Sequence, residues 1–175
     1  MNDMLLDNDK IAFRNISKSL NKYVEKKDFI YIDEIENILK EIFDTEYIKF
    51  SNYHEKEKNI EYLNIDEKCI IHLEGSLLAK AVSTQLPILV NHIISDKYFV
   101  PEIDNPLNLK VKSLIIFPII INKNVIGIVN LWKGMRERSV FTKNDLDRLA
   151  FFSPLFVNII QSKMIDKKEL LDFIH

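Results

Sequence analysis

The residues able to do chemistry in this chain are few and dispersed. His54, His72, His92 and His175 show no His-Xaa-Xaa-Xaa-His or comparable ligand spacing, so a zinc or haem site has no framework in the sequence. Cys69 is the single cysteine, which excludes an intramolecular disulfide and a thiolate zinc cluster. It stands in an apolar run, where a free thiol ordinarily packs as a small hydrophobe, so a small cysteine-dependent redox enzyme is the least supported reading. Ser113 lacks a Gly-Xaa-Ser-Xaa-Gly frame and no glycine-rich phosphate loop occurs, so neither acyl transfer nor nucleotide hydrolysis finds its usual geometry. What remains is suited to binding. Asp96, Tyr98, Glu102 and Asp104 could close a polar lid or simply stand in water, and Lys110 and Lys112 could hold an anion or guard the apolar strand that follows. No catalytic residue and no metal ligand is assigned, and the cofactor is left open.

An apolar ribbon must position these side chains. Residues 114–121 and 125–132 are rich in Ile and Val and flank the polar connector Asn122-Lys123-Asn124, which predicts an antiparallel hairpin. Both runs are apolar on both faces. A sheet with one wet face would alternate, so this one is expected to carry helices on one side and a helix or ligand-holding loop on the other. Phe13, Ile16, Leu20, Tyr23 and Val24 give a first amphipathic helix, broken at Lys26-Lys27-Asp28. Ile32, Ile35, Ile38, Leu39, Ile42 and Phe43 give a second, with Asp33, Glu34 and Glu36 near its start. Strands are expected at 47–53, 60–63 and 69–73, a short helix at 76–82 after Gly75, and an extended segment at 86–90 around Pro87. Residues 91–112, with Pro101 and Pro106, lose regularity and read as a lid or pocket wall.

Thr142 and Asp145 have capping-box spacing at the start of a final helix. Leu146, Leu149, Ser153, Phe156 and Ile160 form one stripe and Phe151, Leu155 and Ile159 a second, which predicts two contacts, one with the sheet and one with a partner. Pro154 is expected to kink this helix near Ala150 at a cost of about 3 kcal/mol unless packing offsets it.

Composition bounds the function. Apolar residues are 47% and charged residues 29% of 175, enough for one well-formed core without disorder. A net charge of −2 without a basic stripe speaks against direct nucleic-acid binding. The N-terminus has no signal-peptide pattern and no apolar run approaches a bilayer span, so a soluble, cytoplasmic protein is expected. The expected organisation is a helix at 1–30, a domain at 31–162 and a helical extension at 163–175.

Five segments in order, Leu73-Glu74-Gly75-Ser76-Leu77-Leu78, Leu86-Pro87-Ile88-Leu89-Val90, Ser113-Leu114-Ile115-Ile116-Phe117-Pro118, Val125-Ile126-Gly127-Ile128-Val129 and Phe141-Thr142, resemble a GAF domain over roughly residues 32–161. The resemblance implies an α+β fold, GAF/PAS-like, with a central antiparallel sheet of five to six strands. Terminal helices would pack on one face and a small-molecule cavity would lie on the other, beneath residues 91–112. It also implies a homodimer paired through the terminal helices. Phe50, Tyr62, His72, His92, Tyr98, Lys112, Ser113, Asn130 and Trp132 are then the candidate ligand-binding residues. Asn130 is the sharpest of them, because a polar side chain in an apolar strand must find a partner. The Asn-Lys-Xaa-Asp-Glu signature of cyclic-nucleotide-binding members is absent, as are a bilin-attaching cysteine before Ser113 and the several cysteines of GAF-type sulfoxide reductases. The expectation is a sensory or regulatory domain, not an enzyme, that binds an unidentified small molecule and signals through dimer geometry or a partner protein. The alternative is a ligand-free scaffold.

Overall fold

A computed structural model describes residues 7–26, 31–63 and 69–172, with side chains within 7–22, 32–63 and 69–162. Tyr23, Val24, the break at 27–28 and His175 therefore lie outside the described residues or side chains. The apolar ribbon becomes β5 (Val111–Ile121) and β6 (Asn124–Gly134), paired antiparallel. The connector is one residue shorter than its sequence suggests, because Asn124 already pairs with Ile121. Asn122 and Lys123 both take positive φ, 48° and 66°, the two-residue geometry whose twist suits a hairpin.

β6 lies between β5 and β1 (Tyr47–His54), followed outward by β2 (Asn59–Tyr62) and β3 (Ile70–His72), while β4 (Ile88–Asn91) covers the far side of β5. The sheet is antiparallel throughout, with six strands in the order β3-β2-β1-β6-β5-β4. Pro118 is tolerated in β5 because it sits beyond Ile116, the last residue there to pair with β4. Gly127 answers a different need. A Cβ there would lie 2.6 Å from the Ser51 carbonyl oxygen and 2.9 Å from Ile160, so only glycine lets the final helix approach this part of the sheet.

That helix, α5 (Lys143–Asp172), packs with α1 (Asp7–Lys26) and α2 (Tyr31–Phe43) on one face. Asp145 Oδ2 accepts from the Thr142 backbone N–H at 2.8 Å, the return arm of the expected capping box. α5 passes Pro154 as one continuous helix, with that residue on its exposed side. It also runs past 162 without a boundary, so the extension assigned to 163–175 continues the same helix as far as Asp172. Both apolar stripes of α5 are used within the chain. Leu149, Phe156 and Ile160 enter the core together with Leu155 and Ile159, and the Phe151 ring lies tilted against that of Phe13 of α1, centres 5.1 Å apart. The second stripe covers the sheet and α1, with Phe151 left half-buried.

Two polar contacts tie the helices down. Arg148 of α5 donates to Asp9 of α1 at 2.7 Å and to the Ile42 carbonyl of α2 at 2.9 Å, with its guanidinium 4.8 Å from the Phe43 ring centre. Asp9 is fully buried, so this pair fixes three helices at one point. Glu36 of α2 accepts from Lys49 of β1 at 2.7 Å, and its Oε1 has no partner among the described residues. Burial pushes the Glu36 carboxyl up to about 7 from an ordinary 4.5, against the pull of Lys49.

The opposite face carries α3 (Leu77–Thr84), a 3₁₀ turn (Ile93–Ser95) and the short α4 (Pro101–Asp104). The segment expected to be irregular thus contains two short helical turns. No helix among the described residues is long and apolar enough to cross a membrane.

Gly127→Ala is expected to lower unfolding free energy by about 1–3 kcal/mol in urea, because the methyl meets backbone rather than a flexible side-chain end. For Glu36, the folded state keeps a proton that the unfolded chain releases between about pH 4.5 and 7, so stability falls as pH rises through that window. Urea midpoints across that range should drop more steeply in the wild type than in Glu36→Gln, which has no proton to lose.

Candidate functional site

The sheet face away from the terminal helices was expected to hold a cavity, and its centre is filled. Leu114 and Ile116 of β5, Ile128 and Trp132 of β6, and Ile60 and Tyr62 of β2 pack beneath Leu77, Leu78 and Ala81 of α3. Trp132 is fully buried, with its ring centre 6.5 Å from that of Tyr62. Asn130, also fully buried, donates from Nδ2 to the Tyr62 hydroxyl at 3.4 Å, while its Oδ1 has no partner among the described residues. Burial raises the Tyr62 phenol above its ordinary range, so it stays a neutral hydroxyl.

Residues 92–110 close over this packed floor, and Asp104 is their anchor. Its carboxylate is fully buried and accepts from the backbone N–H groups of Leu77 at 3.2 Å, Leu78 at 2.9 Å and Val100 at 2.8 Å. Its backbone carbonyl accepts from the Trp132 indole N–H at 3.2 Å. Ser76 caps the same helix, accepting from Ala79 N at 3.1 Å and donating to Leu73 O at 2.7 Å. Asn105 closes the next turn through two bonds with the Leu109 backbone.

Open space lies to one side, between α3 and the turn joining β1 to β2. A cleft of about 560 Å³ there is lined by Tyr53, Glu57, Lys58, His72, Leu73, Glu74, Ala79, Val82 and Ser83. A smaller hollow of about 230 Å³ shares Tyr53, Val82 and Ser83 with it and reaches Asn124 at the hairpin turn. The walls mix apolar side chains with carboxylates, an amine and an imidazole. Among the described residues, no group of three or more His, Cys, Asp or Glu is arranged to hold a metal.

The candidate residues divide accordingly. Tyr62, Asn130 and Trp132 come together in the packed floor, and His72 alone reaches the cleft. Phe50 is on the other side of the sheet, edge-on to Phe156 at 5.4 Å, because its place in β1 sets it on the helical face. Ser113 is enclosed in a bridge between strands and helix: its hydroxyl donates to Asn91 Oδ1 and accepts from Phe141 N at 3.2 Å. Lys112 donates to the Glu137 carbonyl and is not among the residues lining the cleft beside α3. His92 is exposed at a positive φ of 60°, and Tyr98 is exposed between the ammonium groups of Lys80 and Lys97. Of the suggested acidic lid, Asp104 is buried, Glu102 is exposed, and Asp96 accepts from the Tyr98 N–H at 2.8 Å. Tyr53, Glu57, Lys58 and Glu74 escaped sequence reasoning. Their one signal was the charged turn after β1 and its nearness to the Gly75 helix start.

Comparison with curated protein sequences returns no match. Among solved structures, the GAF domain of a phosphoenolpyruvate-protein phosphotransferase from Coxiella burnetii superposes with a TM-score of 0.72 at 12% identity, covering 95% of this chain and 99% of that one. Free methionine-R-sulfoxide reductase from Neisseria meningitidis aligns with a TM-score of 0.66 at 11% identity, over 93% and 95% of the two chains. A methyl-accepting chemotaxis protein fragment gives 0.62 at 17% identity, over 87% and 98%. Likeness at such identities concerns the fold. A sequence model described as GAF domain matches residues 33–161, which takes in α2, every strand and most of α5. On that match, and with the sheet order and two covered faces described above, the chain belongs to the GAF domain family.

Proposed function

We propose that this protein is a cytoplasmic regulatory GAF module that takes a small polar molecule in the cleft beside α3 and passes occupancy through its terminal helices to a second copy of the chain or a partner protein. The observation that carries this reading is the contrast between a filled central recess and an open lateral cleft of about 560 Å³, within the usual size of small-molecule sites. Tyr53, Leu73 and Val82 offer apolar surface, while Lys58 and His72 oppose Glu57 and Glu74. Walls carrying both signs of charge suit a zwitterion or an uncharged polar molecule better than a polyanion. Turnover is not part of the proposal: burial raises the Cys69 thiol above its ordinary range, which disfavours the thiolate that redox chemistry needs. The long α5 supports the helical route of output, because it touches the sheet, α1 and the ribbon at once. The filled recess favours a second reading, a scaffold that binds only proteins.

Thermal shift and calorimetry against amino acids, nucleotides, haem and small organic anions test the two. A cleft ligand at about 100 times its Kd should add roughly 2.7 kcal/mol of stability and raise Tm. Val82→Trp, which fills the cleft, should abolish that rise. If no member of the panel binds, or if binding survives Val82→Trp, the cleft reading is wrong and the scaffold stands.

A further inference from the structure

We infer that residues 92–110 form a lid latched shut by Asp104, whose carboxylate satisfies the first N–H groups of α3 from within the chain and ties the lid to that helix. The first backbone N–H groups of a helix have no partner in the helix itself. Here Ser76 takes the one from Ala79, and Asp104 takes those from Leu77 and Leu78. The same carboxylate folds the lid around itself by accepting from Val100. Its carbonyl meanwhile holds the indole of Trp132, the side chain that fills the recess. One residue therefore joins lid, helix and sheet.

The rest of the lid is held less firmly from its outer side. Ile94 is 80% exposed and Tyr98 47% exposed, and the paired bonds of Asn105 stay within the lid. Ile93, with the half-buried Ile103 and Leu109, supplies the apolar contact beneath. Under the lid, the unpartnered Oδ1 of Asn130 beside the Tyr62 hydroxyl is an acceptor that opening would make available. Burial works to lift the Asp104 carboxyl above the usual carboxylate range, so its three N–H donors hold an anion that the interior opposes. Opening would release that group to water and uncover Tyr62, Asn130 and Trp132 together. The latch stands on these contacts alone and does not require the lateral cleft to bind anything.

Trp132 is the only tryptophan, so its fluorescence reports the floor of the recess directly. The full chain carrying Asp104→Ala is compared with wild type by hydrogen exchange and by acrylamide quenching. Peptides covering 77–80 and 92–110 should exchange about tenfold faster or more, and Trp132 quenching should rise severalfold, while β5, β6 and α5 keep wild-type protection. Asp104→Asn keeps the shape and one oxygen acceptor, should open the lid to a smaller extent, and serves if the alanine variant does not fold. Unchanged protection of the lid and Trp132 in both variants overturns the latch. So does a uniform loss of protection that includes α5, which would make Asp104 a general stabiliser.

Discussion

The structure depends on keeping the β5–β6 ribbon dry on both faces. Its residues are apolar on either side, and an exposed face of Ile and Val at this length would be a template for association. Two unlike layers meet the requirement. The terminal helices cover one face with a phenylalanine-rich core around Phe43, Phe50, Phe152 and Phe156. The other is covered by α3 and a short-turned lid, whose backbone must be paired wherever it is buried.

That second requirement explains why polar residues with apparent binding chemistry are spent on construction. Asp104 and Ser76 satisfy the start of α3. Ser113 and Asn91 bind β5 to β4 and to the approach of α5 at Phe141. Asn130 and Tyr62 answer one another in the floor. Once these are assigned, little central space is left, and the open volume moves to the side of α3, where the β1–β2 turn stands away from the helix. α3 is thus the element common to cleft and lid, and the ribbon is common to lid and helical layer.

Much of the architecture is legible in the sequence, because it is written in local terms. Periodicity marks α1, α2 and α5, the two-sided apolar runs mark β5 and β6, and Thr142 with Asp145 marks the start of α5. The site is less legible, for physical reasons. Phe50 and Tyr62 look alike as strand aromatics, and only pairing register assigns them to opposite faces. Ser113 resembles a binding residue until Asn91 and Phe141 arrive beside it. Arg148 and Asp9 lie 139 positions apart, and Lys49 and Glu36 belong to different layers, so neither pair leaves a trace in spacing. The cleft is built from a turn, a strand end and a helix flank, none distinctive alone.

Two-sided enclosure of the ribbon is also the claim most open to direct measurement. Residue-resolved native-state hydrogen exchange of the wild-type chain ranks its strands. Amides of β5 and β6 near Ile116, Phe117 and Val129 should be the slowest in the molecule and exchange only through global unfolding, with those of β3 and β4 faster. Exchange from the ribbon as rapid as from those edge strands would contradict the account.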